Sequence, residues 1–154
     1  MAGAAIAQRS TGHTVITAGT LAVDGMPMSW RTKAAIKSIG LRPPEHRSKQ
    51  ATSDLFSAAD LIIGLAPEHV SWVRRNHSRA ATRTASLIRL CNELPADNSP
   101  LSERLAAMKL ADVNLGEWEE VTDPGGGEAA DFVACAAQIS ALIDALLPLI
   151  GEEI

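Results

Sequence analysis

The 154-residue sequence contains no tyrosine, two phenylalanines, three tryptophans and two cysteines. Each shortage excludes something. Cys91 and Cys135 are too few for a disulfide framework or a cysteine-based zinc site. The four histidines, His13, His46, His69 and His77, are not spaced as metal ligands with another donor type, so no metal is expected. No cofactor motif is present, and none is expected. No uninterrupted apolar run reaches the ~18 residues that cross a bilayer. No basic segment followed by an apolar core opens the chain as a secretory signal would. These absences imply a cytoplasmic protein with reduced thiols and no membrane partner. The basic residues lack interleaved aromatics, which argues against nucleic acid as a partner.

What is there fits an ordinary globular chain. Apolar residues make up 46% and charged residues 21%. The length fits one domain, residues 1–154, able to bury roughly 68–70% of its unfolded surface. The net charge of −4 hides an asymmetry. Residues 1–90 carry 12 lysines and arginines against 5 acids, and residues 91–154 carry 2 against 13. The basic half could attract an anionic ligand, or the two halves could be solvated faces that attract each other.

Helical and strand-like segments alternate, which predicts an α/β fold with a parallel sheet. Residues 1–10 are alanine-rich and read as helix, with no capping residue ahead of them. Thr14–Thr17 is β-branched and reads as a strand. Residues 29–39 read as a helix capped by Ser29 and stopped by Gly40. A short helix is expected over Ser53–Ala59, and Asp60–Leu65 is apolar enough for a buried parallel strand. Pro67 opens a helix to about Asn76. Ala85–Leu90 is a third strand candidate, Pro100–Leu110 a helix, and 112–127 an acidic loop. A long helix follows over Glu128–Leu147. Three strands make a thin sheet. The bare start of the first helix places the expected missing strand ahead of Met1.

Few residues offer chemistry. Cys135 lies mid-helix on an apolar face and reads as core. Cys91 follows the third strand candidate, but Glu93 and Asp97 nearby would raise its pKa rather than activate it. His46 reads as a polar loop brace. Gly125–Gly127 precedes a helix, yet Asp123, Glu128 and Asp131 would repel an anion there, so the glycines read as a hinge. Asp123-Pro124 is either a turn opener or a carboxylate on a loop, placed to act as a general acid.

An ordered set of segments now matters. It comprises Thr17-Ala-Gly-Thr20, Gly25-Met-Pro27, His46-Arg-Ser-Lys-Gln50, Ala58-Ala-Asp-Leu-Ile-Ile63, Glu68-His69, Asp123-Pro124 and Phe132. The set resembles the low-molecular-weight protein-tyrosine phosphatases of bacterial type, over nearly the whole chain. The resemblance implies a three-layer sandwich with a short four-stranded parallel sheet flanked by helices. In that family a central first strand runs into a Cys-x5-Arg-Ser loop, and the first helix often begins Pro-Met-Ala. Met1-Ala2 looks like that Met-Ala, so the strand, the nucleophilic cysteine and the phosphate-binding arginine are expected ahead of residue 1. No Cys-x5-Arg occurs in the sequence: six residues beyond Cys91 stands Asp97, and six beyond Cys135 stands Ala141.

The resemblance further implies hydrolysis of an aryl phosphate monoester through a phosphocysteine. Asp123 would protonate the leaving oxygen, and a phosphotyrosine protein or small aryl phosphate would be the partner. Two departures bear on the substrate. Gly125–Gly127 stands where the family commonly places aromatics after Asp-Pro, and residues 92–116 look longer than the usual connection. The related arsenate reductases relay oxidation through further cysteines, and Cys91 has no neighbouring cysteine for this. The alternative is a catalytically inactive binding module, or a truncated relic of the same family.

Overall fold

The computed structural model describes residues 1–151. The chain divides into two compact units, Met1–Ala51 with Thr122–Ile154, and Thr52–Val121.

In the first unit three helices share one core. Helix α1 spans Ala2–Arg9, α2 spans Trp30–Ser38, and both pack on the 22-residue α7, Ala129–Ile150. The buried faces are Ala4 and Ala5 of α1, Ala35 and Ile36 of α2, and Cys135, Ala136, Ile139, Ile143 and Leu146 of α7. The spacing on α7 is that of one helical stripe, and each fully buried isoleucine or leucine is worth roughly 1.5–3 kcal/mol. As the sequence predicts, Ser29 caps α2, its Oγ accepting the Thr32 amide at 3.1 Å. Gly40, at φ +77°, follows its end. Arg9 ties the end of α1 to α7 by donating to the Ser140 carbonyl, the Ser140 hydroxyl and the Asp144 carboxylate at 2.7–3.1 Å. By length and composition α7 is apolar enough to cross a membrane, although Asp131 and Asp144 interrupt it.

Residues 19–27 and 47–50 of this unit are braced by the polar groups of Asp24, Arg47, Ser48 and Gln50. Arg47 donates to the Gly25 carbonyl at 2.8 Å, Ser48 to the Val23 carbonyl, and Gln50 to the Thr20 carbonyl at 3.0 Å. Asp24 accepts the Gln50 amide at 2.6 Å. The brace expected of His46 is therefore supplied by its neighbours. Thr14–Thr17 forms no ladder among the described residues, contrary to the sequence reading. β-Branched composition favours a strand only where a partner backbone accepts the ladder. Val15 and Thr17 instead lie against Gly3 of α1, so closely that a methyl group on Gly3 would stand 2.4 Å from Thr17 Cγ2.

In the second unit two strands pair in parallel, β1 over Ile62–Gly64 and β2 over Thr84–Ser86, with Ile63 opposite Ala85. Helix α3, Ser53–Ser57, precedes β1, and α4, Pro67–Asn76, connects the strands with Pro67 in its first turn. A Cβ on Gly64 would stand 3.1 Å from His69 Cβ and 3.2 Å from Val70 Cγ2, so glycine lets α4 approach the strand. His69 Nδ1 accepts the Leu65 amide at 3.2 Å. The third strand candidate, Ala85–Leu90, stops at Ser86. The Ser86 hydroxyl accepts the Arg89 amide at 3.1 Å and starts helix α5, Leu87–Glu93. Helix α6 spans Leu101–Ala107. Two parallel strands and seven α-helices are thus present among the described residues.

Candidate functional site

The sequence singles out Asp123, and its loop walls a cleft of about 290 Å³. Thr122, Asp123 and Pro124 form one side, and Ala134, Cys135 and Gln138 of α7 form another. The loop is shaped by its own carboxylates. Asp123 Oδ1 accepts the Gly125 amide at 2.9 Å, and Gly127 donates to the Pro124 carbonyl at 2.9 Å, closing a turn. Asp131 Oδ2 accepts the Glu128 amide at 2.8 Å at the start of α7. Gly126 sits at φ +79°, a conformation that glycine adopts without strain. A Cβ at Gly127 would lie 2.5 Å from Asp131 Oδ2. The glycines expected to form a hinge therefore also make room for two carboxylates.

The Asp123 side chain is exposed. Its second oxygen, Oδ2, carries no hydrogen bond among the described residues. That oxygen can meet a ligand in the cleft, while Oδ1 holds the loop. This division suits a group that must exchange a proton and keep its place.

Cys135 is both what the sequence reading made it and something more. It is buried in the α7 stripe, and it also forms part of the cleft wall. Burial pushes its thiol pKa up, and the Asp123 carboxylate adds a further upward push. The Asp123 loop thus acts electrostatically on a side chain of α7. No side chain among the described residues caps α1. Uncapped helix N-termini attract oxyanions.

Cys91 lies within α5, not after a strand. Its thiol pKa is raised, and the main cause is burial rather than the neighbouring acids that the sequence suggested. Neither cysteine has the depressed pKa of a catalytic thiolate. No group of three or more histidine, cysteine, aspartate or glutamate side chains suited to a metal occurs among the described residues.

No protein-family model matches the sequence, and no characterised protein matches it at the sequence level. Solved structures do match. The YwlE arginine phosphatase from Geobacillus stearothermophilus superposes with a TM-score of 0.72 at 20% identity, over 94% of this chain and 79% of that one. The low-molecular-weight protein tyrosine phosphatase from T. tengcongensis gives 0.72 at 19% identity, over 94% and 86%. Wzb from Vibrio vulnificus, solved with benzylphosphonate, gives 0.70 at 18% identity, over 94% and 84%.

The chain has the fold of the low-molecular-weight protein tyrosine phosphatases.

This agrees with the resemblance read from the ordered segments and with the α/β class expected from the alternating pattern. Neighbours of this fold include phosphatases described as acting on tyrosine and on arginine. The feature that sequence reasoning missed is the cleft-wall position of Cys135. A cysteine on an apolar helix stripe carries no sign that its edge borders a cleft.

Proposed function

We propose that this chain is the greater part of a phosphatase domain that hydrolyses aryl phosphate monoesters, phosphotyrosine in a protein or a small aryl phosphate. Its nucleophilic cysteine and phosphate-binding arginine come from residues preceding Met1. The observation that carries this reading is the position of Asp123: its loop walls a cleft together with Cys135 of α7, the helix on which α1 packs.

In this reading a strand and anion-binding loop lead directly into α1. The loop amides and the helix N-terminus hold the phosphate oxygens and lower the pKa of the cysteine that attacks. The thiolate forms a sulfur–phosphorus bond as the phosphorus–oxygen bond to the aryl group breaks. Protonated Asp123 gives its proton to the departing oxygen, and as the carboxylate it then takes a proton from the water that hydrolyses the phosphocysteine. Metal and cofactor have no part in this scheme. The two compact units are read as parts of one domain, and the protein as cytoplasmic.

A second reading rests on a specific observation. Neither cysteine of the sequence begins a Cys-x5-Arg segment, and burial raises the pKa of both thiols. Residues 1–154 by themselves are then an inactive binding module or a relic of the fold. Intact mass of the protein from its native source, paired with an aryl phosphate assay, separates the two. A mass above 16.2 kDa by a strand and a loop, with turnover, supports the enzyme. A mass of 16.2 kDa without turnover supports the inactive module. A longer protein that leaves aryl phosphates intact rejects the proposed activity.

A further inference from the structure

A second cleft, of about 330 Å³, lies within the unit formed by Thr52–Val121, among α3, the end of α4 and the 3-10 turn Ser78–Arg83. Its lining is basic, hydroxylic and aromatic: Ser53, Ser57, Phe56, His77, Arg79 and Arg83 are among its walls, and no aspartate or glutamate is.

Its cations are fixed but not neutralised. Arg83 donates from Nε to the Ala59 carbonyl at 2.9 Å, from Nη2 to the Phe56 carbonyl at 3.0 Å and from Nη1 to the Arg79 carbonyl at 3.3 Å. All three partners are neutral, so the guanidinium is held in place with its charge uncompensated. Arg79 makes no side-chain hydrogen bond or ion pair among the described residues. His77 is held from three directions. Its Nδ1 lies 3.1 Å from Ser53 Oγ, and its ring meets Phe56 at a centroid distance of 4.7 Å and Trp72 at 5.1 Å. Its Nε2 has no partner among the described residues.

A rigid cation, an unengaged guanidinium and an imidazole nitrogen are donors for tetrahedral oxygen, while the Ser57 hydroxyl donates to the Ser53 carbonyl at 2.9 Å and Ser53 Oγ pairs with His77 Nδ1. The phenyl and imidazole rings beside them give an apolar edge. We propose that this cleft binds an oxyanion of the phosphate class, at a place separate from the Asp123 cleft, with Arg79 and His77 as its principal contacts. The ligand is either free phosphate or a phosphate ester.

The test is a titration of the ¹⁵N-labelled full chain with inorganic phosphate and with phenyl phosphate, at constant ionic strength, against a chloride control. Saturable shifts are expected in the amides of residues 53–57 and 77–80. Arg79→Gln, an exposed change, weakens the response by about tenfold, the loss of one charge-assisted contact. His77→Gln provides an independent second variant. A stronger response to phenyl phosphate identifies an ester as the ligand, and equal responses identify the free anion; either supports the site. Shifts confined to residues 122–138, shifts that chloride reproduces, or wild-type response in both variants would overturn it.

Discussion

Arg89 grips Glu119 with two parallel hydrogen bonds, Nε to Oε2 at 3.0 Å and Nη2 to Oε1 at 2.7 Å, in the buried interior of the Thr52–Val121 unit. Glu119 is fully buried, and its remaining capacity is filled by the Ser86 hydroxyl at 2.7 Å and the Gly116 amide at 2.9 Å. Arg89 also donates to the Glu93 carboxylate at 2.6 Å and the Asn114 carbonyl at 2.8 Å, and its guanidinium lies 4.9 Å from the Trp118 ring centroid. This network fastens the loop ending in Glu117–Glu119 to α5 and to the end of β2. Removing Glu119 leaves the buried Arg89 with only the exposed Glu93 as counter-charge. Glu119→Ala is therefore expected to cost about 3–5 kcal/mol, read as a lower urea midpoint. Replacing both, Arg89→Met with Glu119→Leu, should recover much of that loss. A Glu119→Ala midpoint equal to wild type would show that the pair contributes nothing.

The same carboxylate makes stability depend on pH. Burial is the largest single influence on Glu119 and would raise its pKa, but the hydrogen bonds from Arg89, Ser86 and Gly116 together outweigh it. The folded value lies below the ordinary 4.5. A depressed folded pKa means that the unfolded chain binds the proton more readily. The contribution is fully present above the unfolded value and is lost as pH falls from there through the folded one. Wild type should lose stability in that acid window more steeply than Glu119→Gln, which cannot titrate. Parallel stability curves for the two proteins below pH 4.5 would contradict this assignment.

Much of the fold could be read from local signals, and the exceptions have physical causes. Helix α2 was legible because Ser29 and Gly40 mark its ends, and β1 because a continuous apolar run fits a buried strand. The strand expected over Ala85–Leu90 failed at Ser86. The same apolar residues suit strand or buried helix, and only the Ser86 hydroxyl's bond to the Arg89 amide decides. Thr14–Thr17 had the right composition, but a strand also needs an edge to pair with. Asp123 is singled out in the sequence by the order of surrounding segments, not by its own turn. The Arg89–Glu119 pair was not legible at all: the two are 30 residues apart, and no periodicity links them.

The loop before α7 makes a further prediction. Gly127 has an ordinary backbone conformation, so alanine there meets no dihedral penalty. Its Cβ would instead lie 2.5 Å from Asp131 Oδ2 and 3.1 Å from Asp131 Cγ. Asp131 must then move, and with it the bond to the Glu128 amide that starts α7. Gly127→Ala should cost about 1 kcal/mol, the scale of losing a helix cap. The check is thermal unfolding of Gly127→Ala beside Asp131→Ala and the double variant. If the clash acts through Asp131, the double variant should be no less stable than Asp131→Ala alone.

Asp123 carries the last prediction, made for the longer protein of the proposed function. Asp123→Asn retains an oxygen that can accept the Gly125 amide, so loop and stability should change little. What is lost is the proton. With an alkyl-substituted phenyl phosphate, whose leaving oxygen needs protonation, turnover should fall by roughly 10²–10⁴-fold. With a nitrophenyl ester, whose anion departs unaided, the loss should be much smaller. A structural role for Asp123 would slow both substrates alike, whereas a general acid slows them in proportion to leaving-group basicity. The ratio of the two rates, not either alone, is the decisive readout. Equal losses would remove Asp123 from the chemistry and leave it as the residue that closes the turn onto Gly125.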